Sequence, residues 1–279
     1  MFTIENLLLG IILSTILAIL AIKKKLLTKD GVIAAFIIGV ITMAFGGKTW
    51  FLLLVTFLFT SSFVTKYKKN IKNKLVAEKF EKGGTRDAFQ VVANGLIPML
   101  LAITENFITS DIFFAAFIGA VATVTADTWG TEIGILSKSS PRLITTLKKV
   151  EPGTSGGITK IGTFASILGA LIVGLVALIA RGLWITVTTG YFVFNKLTWL
   201  VIVALLSGFL GCIMDSFLGA TVQAMFYCDH CMKETEKRIH SCGNKTRHIR
   251  GIKWLNNDMV NLLSSLFGAA IGALLFIYL

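Results

Sequence analysis

The sequence has little charge and little proline for its length. Only 15% of its 279 residues are charged and only three are proline, whereas soluble domains carry about 25% charged residues. This composition excludes an ordinary soluble domain. The chain also lacks a Walker A sequence, a Ser-His-Asp arrangement and a nucleophilic-cysteine arrangement, so neither a P-loop nucleotide site nor acyl-enzyme catalysis is expected.

Long apolar runs make up most of the chain, which is 54% hydrophobic. Because a helix needs ~20 mostly apolar residues to cross a bilayer, the runs predict an all-α, polytopic membrane protein that forms one integral domain over residues 1–279. The first run ends in three lysines without a small-residue cleavage site, so we expect a retained helix rather than a signal peptide. Eight spans fit the pattern: 4–22, 31–47, 49–65, 87–104, 112–128, 161–180, 199–219 and 258–279.

Basic residues are distributed unevenly among the segments between these spans. Four segments, 23–30, 66–86, 135–160 and 224–256, hold 24 of the 27 lysines and arginines. Because basic segments stay in the cytoplasm, the asymmetry predicts that both termini lie outside and that these four segments face the cytoplasm at the cell membrane. We therefore interpret the net charge of +12 as a topological signal and expect no nucleic acid partner.

One of these segments, 66–86, is rich in lysine and contains YKKNIKNK. It suits a surface position on the anionic inner leaflet, where each basic residue contributes roughly 1 kcal/mol. The functional alternative is that it draws in an anionic substrate.

Polar side chains collect where five of the spans meet the cytoplasmic boundary. An acidic residue inside a span costs about 2.5–3.5 kcal/mol on insertion scales, so such residues are usually functional or paired. Asp215, within LLSGFLGCIMDSFLGA, is the clearest case. Together the clusters predict a polar cavity on this face of the membrane. Apart from a glycine-rich turn, they comprise Arg86, Asp87, Gln90, Asn94, Asp127, Glu132, Asp215, Ser216, Gln223, Asn257, Asp258 and Asn261.

Carboxylates at this density need a counter-charge, and Mg²⁺ prefers oxygen ligands. We expect Asp127 and Asp215 to bind it, with Glu132 and Asp258 as further ligands. Asp127 and Glu132 are five residues apart and share a helical face poorly. Gly130 is therefore expected to break the helix and let both side chains turn inward.

Asp87 and Asp258 also have a purely structural interpretation. Each opens a predicted span, where an aspartate can cap the helix. Asp87 could also pair with the neighbouring Arg86.

A glycine-rich turn, PGTSGGITKIGT at 152–163, precedes the sixth span. Glycines let the backbone expose successive N–H groups, and the following helix contributes its positive end, which together suit a phosphate. Lys160 would add charge. The turn could instead be only a re-entrant corner. The expected phosphate-binding residues are Gly153, Thr154, Ser155, Gly156 and Gly157.

The last basic segment, 224–256, holds three of the four cysteines. Its pattern C-x₂-C-x₈-H-x-C offers Cys228, Cys231, His240 and Cys242 as soft ligands on the reducing side of the membrane, where a disulfide is not expected. A structural Zn²⁺ clip fits these ligands, and free thiols are the alternative.

Five phrases together resemble a membrane family formerly filed under unknown function, which includes human transmembrane protein 19 and the plant phytyl-phosphate kinase. They are RDAFQVVANG, ADTWGTEIG, PGTSGGITKIGT, DSFLGATVQ and LNNDMVN. A looser similarity links the chain to CTP-using polyisoprenol kinases, which carry an aspartate, a glycine, a lysine and then a glycine–serine turn. The order here is Asp127, Gly134, Lys148 or Lys149, then 153–156, with a different spacing.

The resemblance implies a kinase that phosphorylates a membrane-embedded prenyl monophosphate of the phytyl or geranylgeranyl type. The donor would be a nucleoside triphosphate, with CTP favoured, and Mg²⁺ would be held by Asp127 and Asp215. The 153–157 turn would bind the nucleotide phosphates, while Lys160 and Arg86 balance charge. The acceptor is already an anion, so no strong general base is required. The amides that would orient phosphate or base are Asn94, Gln223, Asn257 and Asn261.

A transporter of a phosphorylated lipid, a cation or phosphate is the main alternative, since broken helices with polar ends also build transporter sites. Those sites lie near the midplane, whereas these clusters lie to one side, which favours an enzyme. A prenyl or cytidylyl transferase would need the same magnesium and diphosphate contacts. The pattern carries no signal for an oligomeric state.

Overall fold

The structure is a computed structural model, and it describes residues 2–76, 84–191 and 193–279. The lysine-rich segment 66–86 lies partly outside this range, at residues 77–83.

Eight helices of the described chain are long and apolar enough to cross a membrane, which confirms the predicted all-α architecture. Six of them begin at a Ser, Thr, Asp or Asn whose side chain accepts a hydrogen bond from the first turn. These residue types are preferred at helix starts because their side chains can accept this bond. With the short α4 they are α1 (Ile4–Lys23), α2 (Lys29–Gly46), α3 (Lys48–Lys66), α4 (Lys69–Val76), α5 (Ala88–Phe107), α6 (Asp111–Gly134), α7 (Lys160–Thr189), α8 (Trp199–Thr221) and α9 (Asn257–Tyr278).

The spans alternate in direction. We call the polar end of the bundle the end at which α1, α3, α6 and α8 finish and α2, α5, α7 and α9 begin. A 3₁₀ helix, Phe194–Leu197, joins α7 to α8 at the opposite end.

Two spans are longer than predicted. α6 continues to Gly134 instead of residue 128, and α7 continues to Thr189 instead of residue 180. The expected span ended just before Arg181, which instead lies inside α7. Its Nη2 pairs with Asp111 Oδ1 of α6 at 3.2 Å. The helix continues past Arg181, since arginine is a good helix former, and it ends at Gly190, which has a left-handed φ of +74°.

α6 lies at the centre of the bundle and packs against α3, α5, α7, α8 and α9. Small residues on its faces and on its neighbours allow the backbones to approach closely. A Cβ on Gly119 would lie 2.2 Å from the Gly268 carbonyl oxygen of α9, and one on Gly211 of α8 would lie 2.1 Å from Thr123 Oγ1. This packing buries α6 continuously over residues 114–126.

Gly268→Leu is expected to destabilise the bundle strongly. A Cβ at this position would lie 2.0 Å from Thr123 Oγ1 and 2.8 Å from Gly119 O, so a leucine has no space, and overpacking of this kind costs about 1–3 kcal/mol or more. Ala270→Leu, on the exposed face of the same helix, is the control. The apparent Tm in detergent should fall for Gly268→Leu alone; equal Tm values for the two variants would contradict this packing.

Two small sheets lie outside the spans. β1 (Arg142–Leu143) pairs antiparallel with β2 (Gly157–Ile158), which folds the segment after α6 onto the glycine-rich turn. The 224–256 segment, predicted only as a loop, contains a three-stranded antiparallel sheet. Its order is β4 (Lys233–Thr235), β3 (Met225–Cys228) and β5 (Arg247–Arg250).

Candidate functional site

A cavity of about 690 Å³ opens at the polar end of the bundle. The ends of α3, α5, α6, α8 and α9 line it together with α4 and the 224–256 segment. Its lining, among the described residues, includes five carboxylates and four basic side chains. They are Asp127, Glu132, Asp215, Glu236 and Asp258, and Lys69, Lys72, Arg86 and Lys237. The polar clusters that open α5 and α9 and close α6 and α8 thus converge on one space.

Asp127 of α6 and Asp215 of α8 form the centre of this cavity. Their carboxyl groups are hydrogen-bonded to each other. Thr131, one turn after Asp127, also hydrogen-bonds to it, and Ser264 Oγ of α9 donates to Asp215 Oδ2 at 3.0 Å. Two carboxylates in contact repel each other, so the pair either shares a proton or takes up a cation.

Glu132, further along α6, has a lysine partner. Lys72 Nζ of α4 lies 2.5 Å from Glu132 Oε2, and it also donates to the carbonyl oxygens of Val64 and Thr65 at 2.7 and 2.8 Å. The Lys72 side chain is only 5% exposed. At this residue the lysine-rich segment therefore turns into the protein, and Glu132 has a fixed counter-charge.

Arg86 lies where the chain before α5 meets the loop between α1 and α2. Its carbonyl oxygen accepts a hydrogen bond from Thr28 N at 3.0 Å, and its guanidinium carbon lies 4.9 Å from the centre of the Phe57 ring. Burial lowers the pKa of Arg86 to about 10, and the negative charges of Glu132 and Asp127 oppose that shift. At neutral pH the guanidinium is therefore still charged and faces the acidic side of the cavity.

The glycine-rich turn lines a second cavity, of about 430 Å³, which adjoins the first. The two cavities share Asp127, Asp215 and Asn257. All five residues expected to bind phosphate, 153–157, line the second cavity, as does Ser216 of α8. The fold thus brings the turn to the paired carboxylates.

Gly156 is required where the turn packs against α8. It has a left-handed φ of +80°, and a Cβ would lie 2.5 Å from Ala220 Cβ. Not all of the backbone N–H groups of the turn face the cavity, however. Thr154 N donates to Glu151 O and Gly157 N donates to Thr154 O, at 3.2 and 2.9 Å. The turn is therefore closed partly by its own amides, and the amides of Thr154 and Gly157 are already used within it.

A chain of hydrogen bonds joins the turn to the three-stranded sheet. Ser155 Oγ donates to Gln223 Oε1, and Gln223 Nε2 donates to Glu236 Oε1, both at 2.8 Å. Glu236 lines both cavities, and the sequence did not point to it. It follows β4 in a polar segment with no apolar periodicity, so only the folded sheet shows that it turns inward.

The start of α9 contributes Asn257, Asp258 and Asn261 to the first cavity. Asn256, rather than Asp258, caps the helix by accepting a hydrogen bond from Met259 N at 3.2 Å. Asp258 is therefore not the cap itself, but it does lie in the first turn of α9, where it is 8% exposed. Asn261 Oδ1 is buried and has no hydrogen-bond partner among the described residues, and a buried acceptor of this kind needs a donor from water or a ligand.

Asp87 is the capping residue of α5. Its side chain accepts from Gln90 N at 2.9 Å, and the Gln90 side chain accepts from Asp87 N at 3.2 Å, which forms a capping box. The capping alternative is therefore correct for Asp87. The residue lines a third cavity, of about 570 Å³, together with Gln223.

Lys160 lies apart from the residues with which it was grouped. It is exposed at the first position of α7 and lines neither of the two cavities that contain Asp127 and Asp215. The preceding Thr159 turns inward instead and caps α7 by accepting from Gly162 N at 3.0 Å. Arg86, which precedes α5, is instead close enough to act electrostatically on Asp127.

Gly130 does not break α6, which runs without interruption to Gly134. A Cβ on Gly130 would lie 3.3 Å from Ser166 Cβ and 3.4 Å from Gly162 O of α7. The glycine thus serves close packing between the two helices. The cavity is wide enough for Asp127 and Glu132 to reach it from one continuous helix.

An apolar groove meets the polar cavity from the side. Aliphatic and aromatic residues of α1, α2, α3 and α5 line it. Arg86, Gln90 and Asn94 line both the groove and the 690 Å³ cavity. The groove has a volume of about 90 Å³, so a bound amphiphile could place its head at Arg86 and the adjoining part of its tail in the groove.

The family model of integral membrane protein DUF92 matches residues 12–269. The chain belongs to this family. This result confirms the resemblance carried by the five sequence phrases, and it identifies the bundle as an integral membrane protein. No solved structure matches the chain.

Several curated DUF92 relatives align over nearly the whole chain. Protein PGR of Arabidopsis thaliana is 34% identical over 98% of this chain and 97% of its own length. An uncharacterized membrane protein of Methanocaldococcus jannaschii is 32% identical over 99% and 97%. Protein VTE6, chloroplastic, of Arabidopsis thaliana is 28% identical over 89% of this chain and 65% of its own length.

Proposed function

We propose that this DUF92 protein is a prenyl phosphate kinase. It transfers the γ-phosphoryl group of a nucleoside triphosphate, with CTP favoured, to a membrane-embedded prenyl monophosphate of the phytyl or geranylgeranyl type. The observation that carries the proposal is that paired carboxylates and a glycine-rich turn meet an apolar groove at Arg86. The similarity to VTE6, the plant phytyl-phosphate kinase of the family, supports it.

Mg²⁺ fits the donor set at the centre of the site. Asp127 and Asp215 offer hard oxygen atoms in contact with each other, and a divalent cation relieves the repulsion between two carboxylates. These two side chains would hold the ion, with Asp258 as a further oxygen donor at the cavity wall. Bound there, Mg²⁺ would neutralise phosphate charge during phosphoryl transfer.

The reaction needs no proton acceptor. An oxygen of the prenyl monophosphate dianion forms a bond to the γ-phosphorus while the bond from that phosphorus to the β–γ bridging oxygen breaks, and the nucleoside diphosphate leaves. Charge and protons balance without a general base. The three histidines, at 230, 240 and 248, line neither of the two cavities that contain Asp127 and Asp215, which agrees with a step that needs no general base.

Positioning and charge balance are the work of the protein in such a transfer. Arg86, at the junction of groove and cavity, holds the acceptor phosphate. The 153–157 turn, with Thr154 and Ser155, holds the nucleotide phosphates. The remaining amide side chains orient the phosphates or the base; they are Asn94, Gln223, Asn257 and Asn261.

We place the polar end of the bundle on the cytoplasmic side of the cell membrane. The basic segments 23–30, 66–86, 135–160 and 224–256 all adjoin this end, and such segments stay in the cytoplasm. A nucleoside triphosphate would then enter from the cytoplasm while the prenyl tail stays in the bilayer.

The decisive experiment offers geranylgeranyl or phytyl monophosphate to the purified full-length protein with Mg²⁺ and each of CTP, ATP, GTP and UTP. Prenyl diphosphate should form with at least one nucleotide, CTP first. A transporter would instead leave every nucleotide intact and carry a phosphorylated solute across liposome membranes. Those two results together would overturn the proposal of a kinase. A prenyl or cytidylyl transferase would be recognised by the different mass of its product.

Ala35→Phe tests where the prenyl tail binds. Ala35 of α2 lines the apolar groove, so the added ring should raise the KM for geranylgeranyl monophosphate by about tenfold and affect a five-carbon acceptor far less, since one buried CH₂ is worth about 0.8 kcal/mol. Ile33→Phe, on the exposed face of the same helix, is the control. Equal KM values for the two variants would place the tail elsewhere.

A further inference from the structure

The 224–256 segment brings four soft ligands together outside the site described above. Cys228 ends β3, Cys231 lies in the tight turn to β4, and His240 and Cys242 lie in the loop between β4 and β5. One ligand atom of each residue lies within 4.8 Å of all the others. Two loops at the same end of a small sheet thus meet at one point.

The distances between the ligand atoms are close to those around a metal ion and longer than a disulfide bond. Cys228 Sγ and Cys242 Sγ are 3.6 Å apart, and His240 Nδ1 is 3.2 Å from Cys242 Sγ. A tetrahedral ion with Zn–S of about 2.3 Å and Zn–N of about 2.0–2.1 Å sets its ligand atoms roughly 3.5–3.8 Å apart. A disulfide needs about 2.05 Å, and the structure has all of these cysteines free.

Two of the four ligands are buried, which supports the same conclusion, while Cys231 is half-buried and Cys242 is exposed. Cys228 is fully buried and His240 is 4% exposed. The Nε2 atom of His240 has no hydrogen-bond partner among the described residues, while Nδ1 faces the thiols. Nδ1 lies 3.2 Å from Cys242 Sγ, so it is the ring nitrogen that would bind the metal, and Nε2 would then carry the proton.

We propose that Cys228, Cys231, His240 and Cys242 bind one structural Zn²⁺. The ion ties the β3–β4 turn to the β4–β5 loop, and three thiolates with one imidazole form a closed tetrahedral set with no open position for catalysis. The proposal stands on this cluster alone and does not depend on the reaction at the carboxylate site.

The zinc cluster lies in the segment that contacts the polar end of the bundle. Glu236 lies between Cys231 and His240 in the chain. It lines the polar cavity, and its carboxylate accepts a hydrogen bond from Gln223. At the other edge of the sheet, Arg250 donates to the carbonyl oxygens of α8 at its C-terminal end. The metal therefore holds the segment that carries Glu236 over the polar end of the bundle.

Metal analysis of the full-length protein, purified without chelator and without added metal, tests the proposal. We expect about one zinc per chain, its loss in Cys228→Ala and Cys242→Ala, and its retention in Cys212→Ala, whose thiol lies in α8. His240→Ala should lose the metal while His230→Ala keeps it. Absence of zinc, a zinc that survives Cys228→Ala, or a mass shift from disulfide formation would overturn the assignment.

Limited proteolysis gives a second readout that needs no substrate. The segment carries seven lysines and arginines between 233 and 253, so removal of a metal that orders it should speed tryptic cleavage there by about tenfold, since cleavage follows local opening. Far-UV circular dichroism should show the membrane helices unchanged. Cleavage at the same rate with and without a zinc chelator would contradict the structural role.

Discussion

Asp127→Asn is expected to reduce prenyl diphosphate formation by at least about a hundredfold, which corresponds to about 2.7 kcal/mol of lost transition-state stabilisation. Asp127 contacts Asp215 at the centre of the cavity, and an asparagine removes the charge that would hold Mg²⁺. Product formation at saturating nucleotide, measured by mass spectrometry, checks the loss.

A loss of activity alone would not separate chemistry from folding, so the Tm in detergent is the companion measurement. The amide relieves repulsion between two carboxyl groups, so the Tm without Mg²⁺ should be unchanged or higher. The increase in Tm that Mg²⁺ gives the wild-type protein should disappear, because a ligand stabilises only the state that binds it. Asp111→Asn removes an exposed carboxylate paired with Arg181 at the opposite end of the bundle and should leave both properties intact. Full activity in Asp127→Asn would exclude the proposed metal site.

Lys72→Met should destabilise the protein by about 3–5 kcal/mol, as breaking a buried ion pair does when one charge is left behind. Lys72 Nζ is bound by Glu132 and by two carbonyl oxygens at the end of α3, and all of these acceptors lose their partner. The apparent Tm should fall markedly. Adding Glu132→Gln to the same protein should recover part of the loss, since the uncompensated charge is then gone.

An exposed ion pair provides the control for Lys72. Lys48 Nζ lies 3.7 Å from Glu5 Oε1, with side chains that are 50% and 75% exposed, and pairs of this kind contribute about 0–1 kcal/mol. Lys48→Met should therefore leave the Tm nearly unchanged. Equal effects of the two substitutions would show that Lys72 is a solvated lysine of an ordinary surface segment.

The eight spans and the convergence of their polar ends could be predicted because both follow from the hydropathy of single segments. The expected ends of α6 and α7 were too early because neither Gly130 nor Arg181 ends its helix. Arginine is a good helix former, and Gly130 lies where α7 packs closely against the α6 backbone.

The site residues that sequence reasoning missed or misplaced lie in short polar segments. Nothing local distinguishes Lys72 from the other lysines of its segment, and it turns inward because Glu132 and two carbonyl groups bind it. A β-sheet brings Glu236 to the cavity. The charged, cysteine-bearing sequence of this segment does not predict a sheet. Lys160 follows a glycine-rich turn as a phosphate-binding lysine would, but the cap at Thr159 fixes a helix geometry that leaves it exposed.

The most direct test of the central claim follows the γ-phosphate itself. The purified protein, with Mg²⁺ and geranylgeranyl monophosphate, is given γ-labelled CTP or ATP, and the label in the prenyl diphosphate is compared with the nucleotide consumed. We predict one labelled prenyl diphosphate for each nucleoside diphosphate released with the preferred donor, and none with Asp127→Asn. Nucleotide consumption without label in the lipid, or no consumption of any nucleotide, would contradict a prenyl phosphate kinase.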